Sequence, residues 1–220
     1  MGIGKESYKK INSLEIKTDY KYVDKVILLI DLIKESPKEG VIVECGVANG
    51  GSLIILNKLS KKKIFAFDSF EWFPNQQFEK DHENISQVIK SRKWHYKLMT
   101  IDLVKKNLLN NGISKEEIEN KIIFRKGYFP LSFKNFNEEI SFLHLDVDLY
   151  QAHKDCLEFF FPKLKKGGIV TFDDYDINQI QSLKKGYNWR GAKIAIDEFV
   201  EKNNLKLENH YTGFKYIIKN

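Results

Sequence analysis

Cysteine is scarce in this chain. There are two in 220 residues, Cys45 and Cys156, both in apolar surroundings. They exclude a disulfide framework and read as buried thiols in a reducing compartment. Long hydrophobic runs are missing too. The run Val26–Ile30 is far too short to span a membrane, and the polar start has no signal-peptide core. Met1-Gly2 opens like a myristoylation signal, but Glu6 stands where Ser or Thr is needed. Positive charge is present but not concentrated. The net charge is +6, yet the lysines are scattered, and Lys61–Lys63, Lys165–Lys166 and Lys184–Lys185 fall at expected turns. A nucleic-acid partner is therefore not expected, nor is a membrane. Repeats and low-complexity tracts are absent. What these absences leave is a soluble, cytoplasmic protein folding as a single domain over residues 1–220, with 42% hydrophobic residues to fill a core.

What is present alternates between strands and helices. After a polar lead-in, residues 1–18, Asp19 can cap a helix with Val23, Val26, Ile27, Ile30 and Ile33 at helical spacing, closed by Pro37 and Gly40. Strands are expected at 41–45, 64–67, 121–125, 140–145 and 168–172. Helices are expected at 52–59, 100–110, 150–161 and 191–200, and a hairpin over 205–218 turns at Tyr211-Thr212-Gly213. The alternation predicts an α/β fold, a doubly wound, mainly parallel sheet with a C-terminal antiparallel hairpin. Residues 69–97 break the rhythm and read as an excursion over the sheet edge, with a short helix near 85–92. Its Trp72, Phe73, Trp94, His82 and His95 are candidates to meet an acceptor.

Two strands end in acid. His144-Leu145-Asp146-Val147-Asp148 closes one, and Asp173-Asp174-Tyr175 closes the next. Parallel neighbours lie roughly 4.8 Å apart, and their carboxyl ends open on the edge where such sheets bind ligands. Two carboxylates about 5 Å apart repel by roughly 3 kcal/mol at an effective dielectric near 20. The cluster therefore calls for protons or a cation. Hard oxygen donors point to Mg²⁺, Mn²⁺ or Ca²⁺ rather than zinc. The bland alternative makes these Asp residues helix caps and turn formers. His144 reads as a core histidine and His153 as an ordinary helix residue.

The other end of the sheet carries a nucleotide signature. Glu44-Cys45-Gly46-Val47-Ala48-Asn49-Gly50-Gly51-Ser52 joins the first strand to the first following helix, and Asp68 ends the second strand. Small residues let backbone approach a ligand, and a carboxylate at that strand end suits ribose hydroxyls. The order Glu44, Gly46, Gly50, Asp68 fits S-adenosylmethionine. Ala48 breaks the dinucleotide fingerprint, which leaves an NAD(P)-dependent oxidoreductase and a non-catalytic ligand-binding domain as the alternatives.

Six segments in order carry a resemblance: Val43–Val47 with Gly50-Gly51-Ser52, Phe67–Glu71, Lys126–Phe129, Leu145–Tyr150, Gly167-Gly168 with Asp173–Tyr175, and Gly191-Ala192 with Ala195 and Asp197–Phe199. Together, over roughly residues 20–218, the chain resembles the macrocin O-methyltransferase family (TylF, MycF and NovP type). The resemblance implies a class I methyltransferase Rossmann-like fold, S-adenosylmethionine and Mg²⁺ (or Mn²⁺) as cofactors, a sugar or glycoside acceptor, and a homodimer. It places the metal on Asp146, Asp173 and Asp174, the general base on Asp148, and the ribose on Asp68. Around the cofactor it implies Glu44, Gly46, Gly50, Ser52, Ser69 and Gly127. Two departures stand out: Trp72-Phe73-Pro74 replaces a Gly-Leu-Pro, and Lys193 stands where Arg is common.

Overall fold

The computed structural model of the protein describes residues 13–14, 23–71, 99–175 and 190–220. The excursion beyond Glu71, with the helix expected near 85–92, Trp72, Phe73, Trp94, His82 and His95, lies outside the described residues, as does most of the lead-in.

The strands are β1 (Val41–Cys45), β2 (Ile64–Asp68), β3 (Ile122–Lys126), β4 (Ile140–Leu145), β5 (Leu164–Phe172), β6 (Glu208–Asn209) and β7 (Lys215–Ile218). They form one sheet in the order β3-β2-β1-β4-β5-β7-β6. The first five are parallel; β7 runs antiparallel beside β5, and β6 antiparallel beside β7. The C-terminal hairpin thus supplies one edge of the sheet. The described helices are α1 (Val23–Glu35), α2 (Gly51–Leu59), α3 (Ile101–Asn110), α4 (Lys115–Lys121), α5 (Tyr150–Phe160) and α6 (Arg190–Lys202).

Strand side chains alternate between two cores, as a period of two requires. Ile42, Ile64, Ala66, Phe142 and Ile169 face α1 to α4. Val41, Val43, Cys45, Phe65, Phe67, Leu143, Leu145, Val170 and Phe172 face α5 and α6. On that second face Phe67, Phe133, Phe136 and Phe160 pack edge to face, with ring centroids 4.7–5.9 Å apart, the arrangement aromatic quadrupoles favour.

The elements expected within the described residues are present, with three differences. Helix α4 was not foreseen, because Lys115–Lys121 is too short and polar to show periodicity. Ser114 caps it by accepting from Glu117 N–H, and Lys121 pairs with Glu117 at 3.3 Å. Strand β5 starts at Leu164 rather than 168, through an irregularity opposite Ile140–Phe142. In α1 the apolar stripe is displaced at its start: Val23 is 39% exposed, whereas Lys25 is 3% exposed. Among the described residues, no helix is long and apolar enough to cross a membrane.

Candidate active site

The strand order reverses between β1 and β4, and the carboxyl ends of β2, β1, β4 and β5 are level there. Cys45 pairs with both Phe67 and Leu145, and Leu145 pairs with Phe172. The ladder continues one step further. Gly46 N–H donates to the Phe67 carbonyl, Asp146 N–H to that of Cys45, and Asp173 N–H to that of Leu145, each at 2.9 Å. Backbone pairing therefore fixes where the Gly46 turn and two of the acidic residues begin.

The turn after β1 is tight for a definite reason. Gly46 has φ +86°, and a Cβ there would stand 1.8 Å from the Asp146 carbonyl oxygen. Its smallness serves the backbone of β4 before any ligand, so the glycine turn and the acidic cluster are in direct contact. Gly50, at φ +84°, faces Val104 Cγ1 at 2.9 Å from its would-be Cβ. Ser52 donates its hydroxyl to Glu44 Oε1, while Glu44 Oε2 is buried without a hydrogen-bond partner. Burial pushes the Glu44 carboxyl up to about 8, against the pull of the Ser52 bond.

Asp68 is well occupied. Its Oδ2 accepts from Val47 N–H at 2.7 Å and Ala48 N–H at 3.0 Å, and Oδ1 accepts from Phe70 N–H at 2.8 Å. The carboxylate binds the glycine turn to the end of β2. An ionised carboxylate offers about four acceptor sites, so capacity remains for a hydroxyl. Ser69 Oγ lies 3.4 Å from Asp68 Oδ1, and Gly127 N–H donates to the Asp68 carbonyl at 3.0 Å with φ +139°. The seven residues expected around a cofactor are thus gathered at one place.

The acidic residues do not form a single ring. Donor atoms of Asp146, Asp148 and Asp174 lie within 4.8 Å of one another, and so do those of His144, Asp146 and Asp173. Asp146 is common to both groups, so the trio Asp146, Asp173 and Asp174 is divided between them. Ligands of one Mg²⁺ at about 2.1 Å are separated by at most roughly 4.2 Å, so the donors of the all-oxygen group, within 4.8 Å of one another, would have to draw together slightly to hold such an ion. The capping alternative fails at Asp146 and Asp148: the residue at the start of α5 is Leu149, with no side-chain cap. Asp148 has a left-handed backbone, φ +59°, and its N–H donates to Asp174 Oδ2 at 2.8 Å. Asp174, 2% exposed, also lies 3.8 Å from His153 Nε2.

Sequence reasoning missed three residues here. The largest omission is Lys25. Its ammonium, carried in from α1, sits 2.8 Å from Asp146 Oδ2 and also contacts Asp173 Oδ1. The second contact is Coulombic; Asp173 Oδ1 has no partner in hydrogen-bond geometry. Burial is the largest influence on the Asp146 carboxyl and raises it, but the charge and hydrogen bond of Lys25, together with His144 and His153, outweigh it and hold the group below its ordinary value. Asp173 is pushed up to about 8 by burial, and Asp174 rises well above the carboxylate range by burial and by Asp148, Asp146 and Asp173. One ammonium compensates one carboxylate, not the set. His144 and His153 are the other two. Both are fully buried beside the cluster with Nε2 lacking a hydrogen-bond partner, and desolvation lowers them to about 3 and about 4, so both are neutral. The expected roles, a core histidine for His144 and an ordinary helix residue for His153, are therefore incomplete. Only the strand position of His144 signalled this; Lys25 gave no signal, because a lysine in an amphipathic helix reads as solvated.

The profile of the macrocin-O-methyltransferase (TylF) family matches residues 20–206, most of the chain. The chain belongs to the macrocin O-methyltransferase family. It is accordingly an O-methyltransferase, and the oxidoreductase and non-catalytic readings fall away. An 8-demethyl-8-(2,3-dimethoxy-α-L-rhamnosyl)-tetracenomycin-C 4'-O-methyltransferase of Streptomyces olivaceus is 25% identical over 188 residues, 81% of this chain and 69% of that protein. Mycinamicin III 3''-O-methyltransferase of Micromonospora griseorubida is 27% identical over 175 residues, 74% of this chain and 65% of its own length. The match to demethyldecarbamoylnovobiocin O-methyltransferase of Streptomyces niveus spans 53% of that enzyme. The chain thus spans between half and about two thirds of these relatives. A solved structure of the O-methyltransferase NovP has a TM-score of 0.71 at 20% identity, covering 90% of this chain and 80% of that one. A calicheamicin methyltransferase gives 0.67 at 19%, covering 97% and 91%. At such identities the likeness concerns the fold. In this macrocin O-methyltransferase family member, Lys193 pairs with Asp197 and lies 4.9 Å from the Tyr175 ring, which follows the acidic pair.

Proposed function

We propose that this protein is a single-domain enzyme that transfers a methyl group from S-adenosylmethionine to a hydroxyl of a sugar or glycoside, with a divalent ion at the acidic cluster. One observation carries the reading: Gly46 packs on the Asp146 backbone, so the cofactor turn and the carboxylates form one continuous site. The names of the relatives support the acceptor class, since one is a methyltransferase of a rhamnosyl-bearing tetracenomycin.

Each residue has a task. Asp68 accepts ribose hydroxyls with the acceptor sites its backbone bonds leave, and the turn from Gly46 to Ser52 with Ser69 and Gly127 walls the cofactor. Asp146 and Asp174 would hold the ion, Asp173 of the neighbouring group would join them by a side-chain movement, and Asp148, two residues beyond Asp146, takes the acceptor proton. The bound sulfonium supplies an electrophilic methyl group, and a bound Mg²⁺ or Mn²⁺ would orient the hydroxyl and lower its pKa. The protein chiefly positions the reactants in line, where effective molarities are large.

The reading is tested by a methyl-transfer screen of nucleotide sugars and glycosides, with S-adenosylmethionine, in EDTA and after adding Mg²⁺ or Mn²⁺. Transfer that disappears in EDTA and returns with metal is expected. Full turnover in chelated enzyme sinks the metal, and transfer confined to acceptors without sugars sinks the acceptor class.

A further inference from the structure

Lys25 is the unexpected cation of this site. It is 3% exposed, comes from a helix that otherwise buries aliphatic side chains, and reaches Asp146 and Asp173 across 121 and 148 positions of chain. Its ammonium stands among the donor atoms of one of the two groups, whose His144 Nε2 is buried and without a hydrogen-bond partner. An ion bound to His144, Asp146 and Asp173 would take the place of Nζ. An ion on Asp146, Asp148 and Asp174 would share Asp146 with it, leaving two cations within roughly 5–7 Å given metal–oxygen bonds of about 2.1 Å. In either place the two charges compete for the same carboxylate.

We propose that Lys25 is a built-in counter-cation that competes with the divalent ion for Asp146, leaving that carboxylate when metal binds. This rests on the metal reading above. The ammonium holds the carboxylates together without metal, and its displacement lowers the net affinity for the ion. It also ties metal loading to the N-terminal helix α1, which sequence reasoning had assigned only to packing. The four carboxylates explain how both statements hold: the cluster attracts any cation strongly, and a resident +1 charge reduces what a second one gains.

The experiment compares wild type with Lys25→Met by calorimetric titration with Mg²⁺ and Mn²⁺, and by thermal unfolding with and without metal. Lys25→Met should bind metal at least about tenfold more tightly, since a repelling charge a few ångströms away is gone. Its metal-free melting temperature should fall, and metal should raise it by more than in wild type. Equal or weaker binding in Lys25→Met, with wild type binding normally, overturns the proposal and makes Lys25 a preorganising partner. If neither protein binds metal, the metal reading itself fails, and this inference with it. Should Lys25→Met not fold, wild type with ¹⁵Nζ-labelled lysine decides. The buried ammonium resonance, assigned by its loss in Lys25→Arg, must shift or broaden at saturating Mg²⁺. A resonance that stays unchanged while metal binds overturns the proposal.

Discussion

The β1–β2 side of the sheet edge and the β4–β5 side treat buried polar groups in opposite ways. On the first side, Asp68 receives three backbone N–H groups and binds the glycine turn to β2. That charge is satisfied by dipoles the fold supplies unconditionally. On the second side, four carboxylates share one ammonium, two neutral histidines and few donors, and two of the acids are driven up in pKa. The first region is preorganised without a ligand. The second is energetically incomplete, the condition that the proposed reversible binding of a cation would require.

The sharpest way to break this contrast is to damage the contact between the two sides. Gly46→Ala places a Cβ 1.8 Å from the Asp146 carbonyl oxygen at a positive φ. It should cost about 4 kcal/mol in urea unfolding and abolish cofactor and metal binding together. Loss of only one of the two would show that the sides are independent.

Next in size is Asp148→Asn. Asn tolerates the left-handed backbone that Asp148 adopts, φ +59°, so the turn should persist. Turnover should fall roughly 10²–10⁴-fold in single-turnover assays while S-adenosylmethionine still binds by calorimetry. If Mg²⁺ affinity falls as well, Asp148 is a ligand, as its place in the all-oxygen group would allow.

Smaller still is Asp68→Ala. A charged hydrogen-bond partner contributes roughly 1.5–3 kcal/mol, so cofactor affinity should drop on that scale. Metal affinity should remain within about threefold by the same reasoning, because the second region does not use Asp68. Unchanged cofactor affinity would remove Asp68 from the cofactor site.

The mildest test uses pH. Burial raises Glu44 from 4.5 to about 8, so the folded protein keeps a proton that the unfolded chain releases. The contribution to stability is complete below about 4.5 and is lost as pH rises through about 8. Glu44→Gln, which keeps an acceptor for Ser52, should flatten urea-midpoint curves between pH 5 and about 9. Above about pH 7.5, where His144 and His153, lowered to about 3 and about 4, are neutral in both states, the slope that remains comes chiefly from Asp173 and Asp174, raised in the same direction as Glu44, and Mg²⁺ should reduce it. A remaining slope insensitive to Mg²⁺ would argue against a metal on those two acids.

Much of this was legible in the order of residues. Periodicity placed β1 and β4 residue for residue and most helices within two positions. Gly46, Gly50, Asp68, Asp146, Asp148, Asp173 and Asp174 were recognisable because strand ends and their residue types are local properties of the chain. Tertiary structure alone decided which acids stand together, because that depends on side-chain directions across β4 and β5. It also decided that Gly46 is small for the sake of Asp146, a contact between residues a hundred positions apart. Above all it decided the fate of Lys25. On a helix surface a lysine keeps its charge in water at little cost; only when α1 packs at the sheet edge does that charge meet carboxylates that no local pattern connects to it.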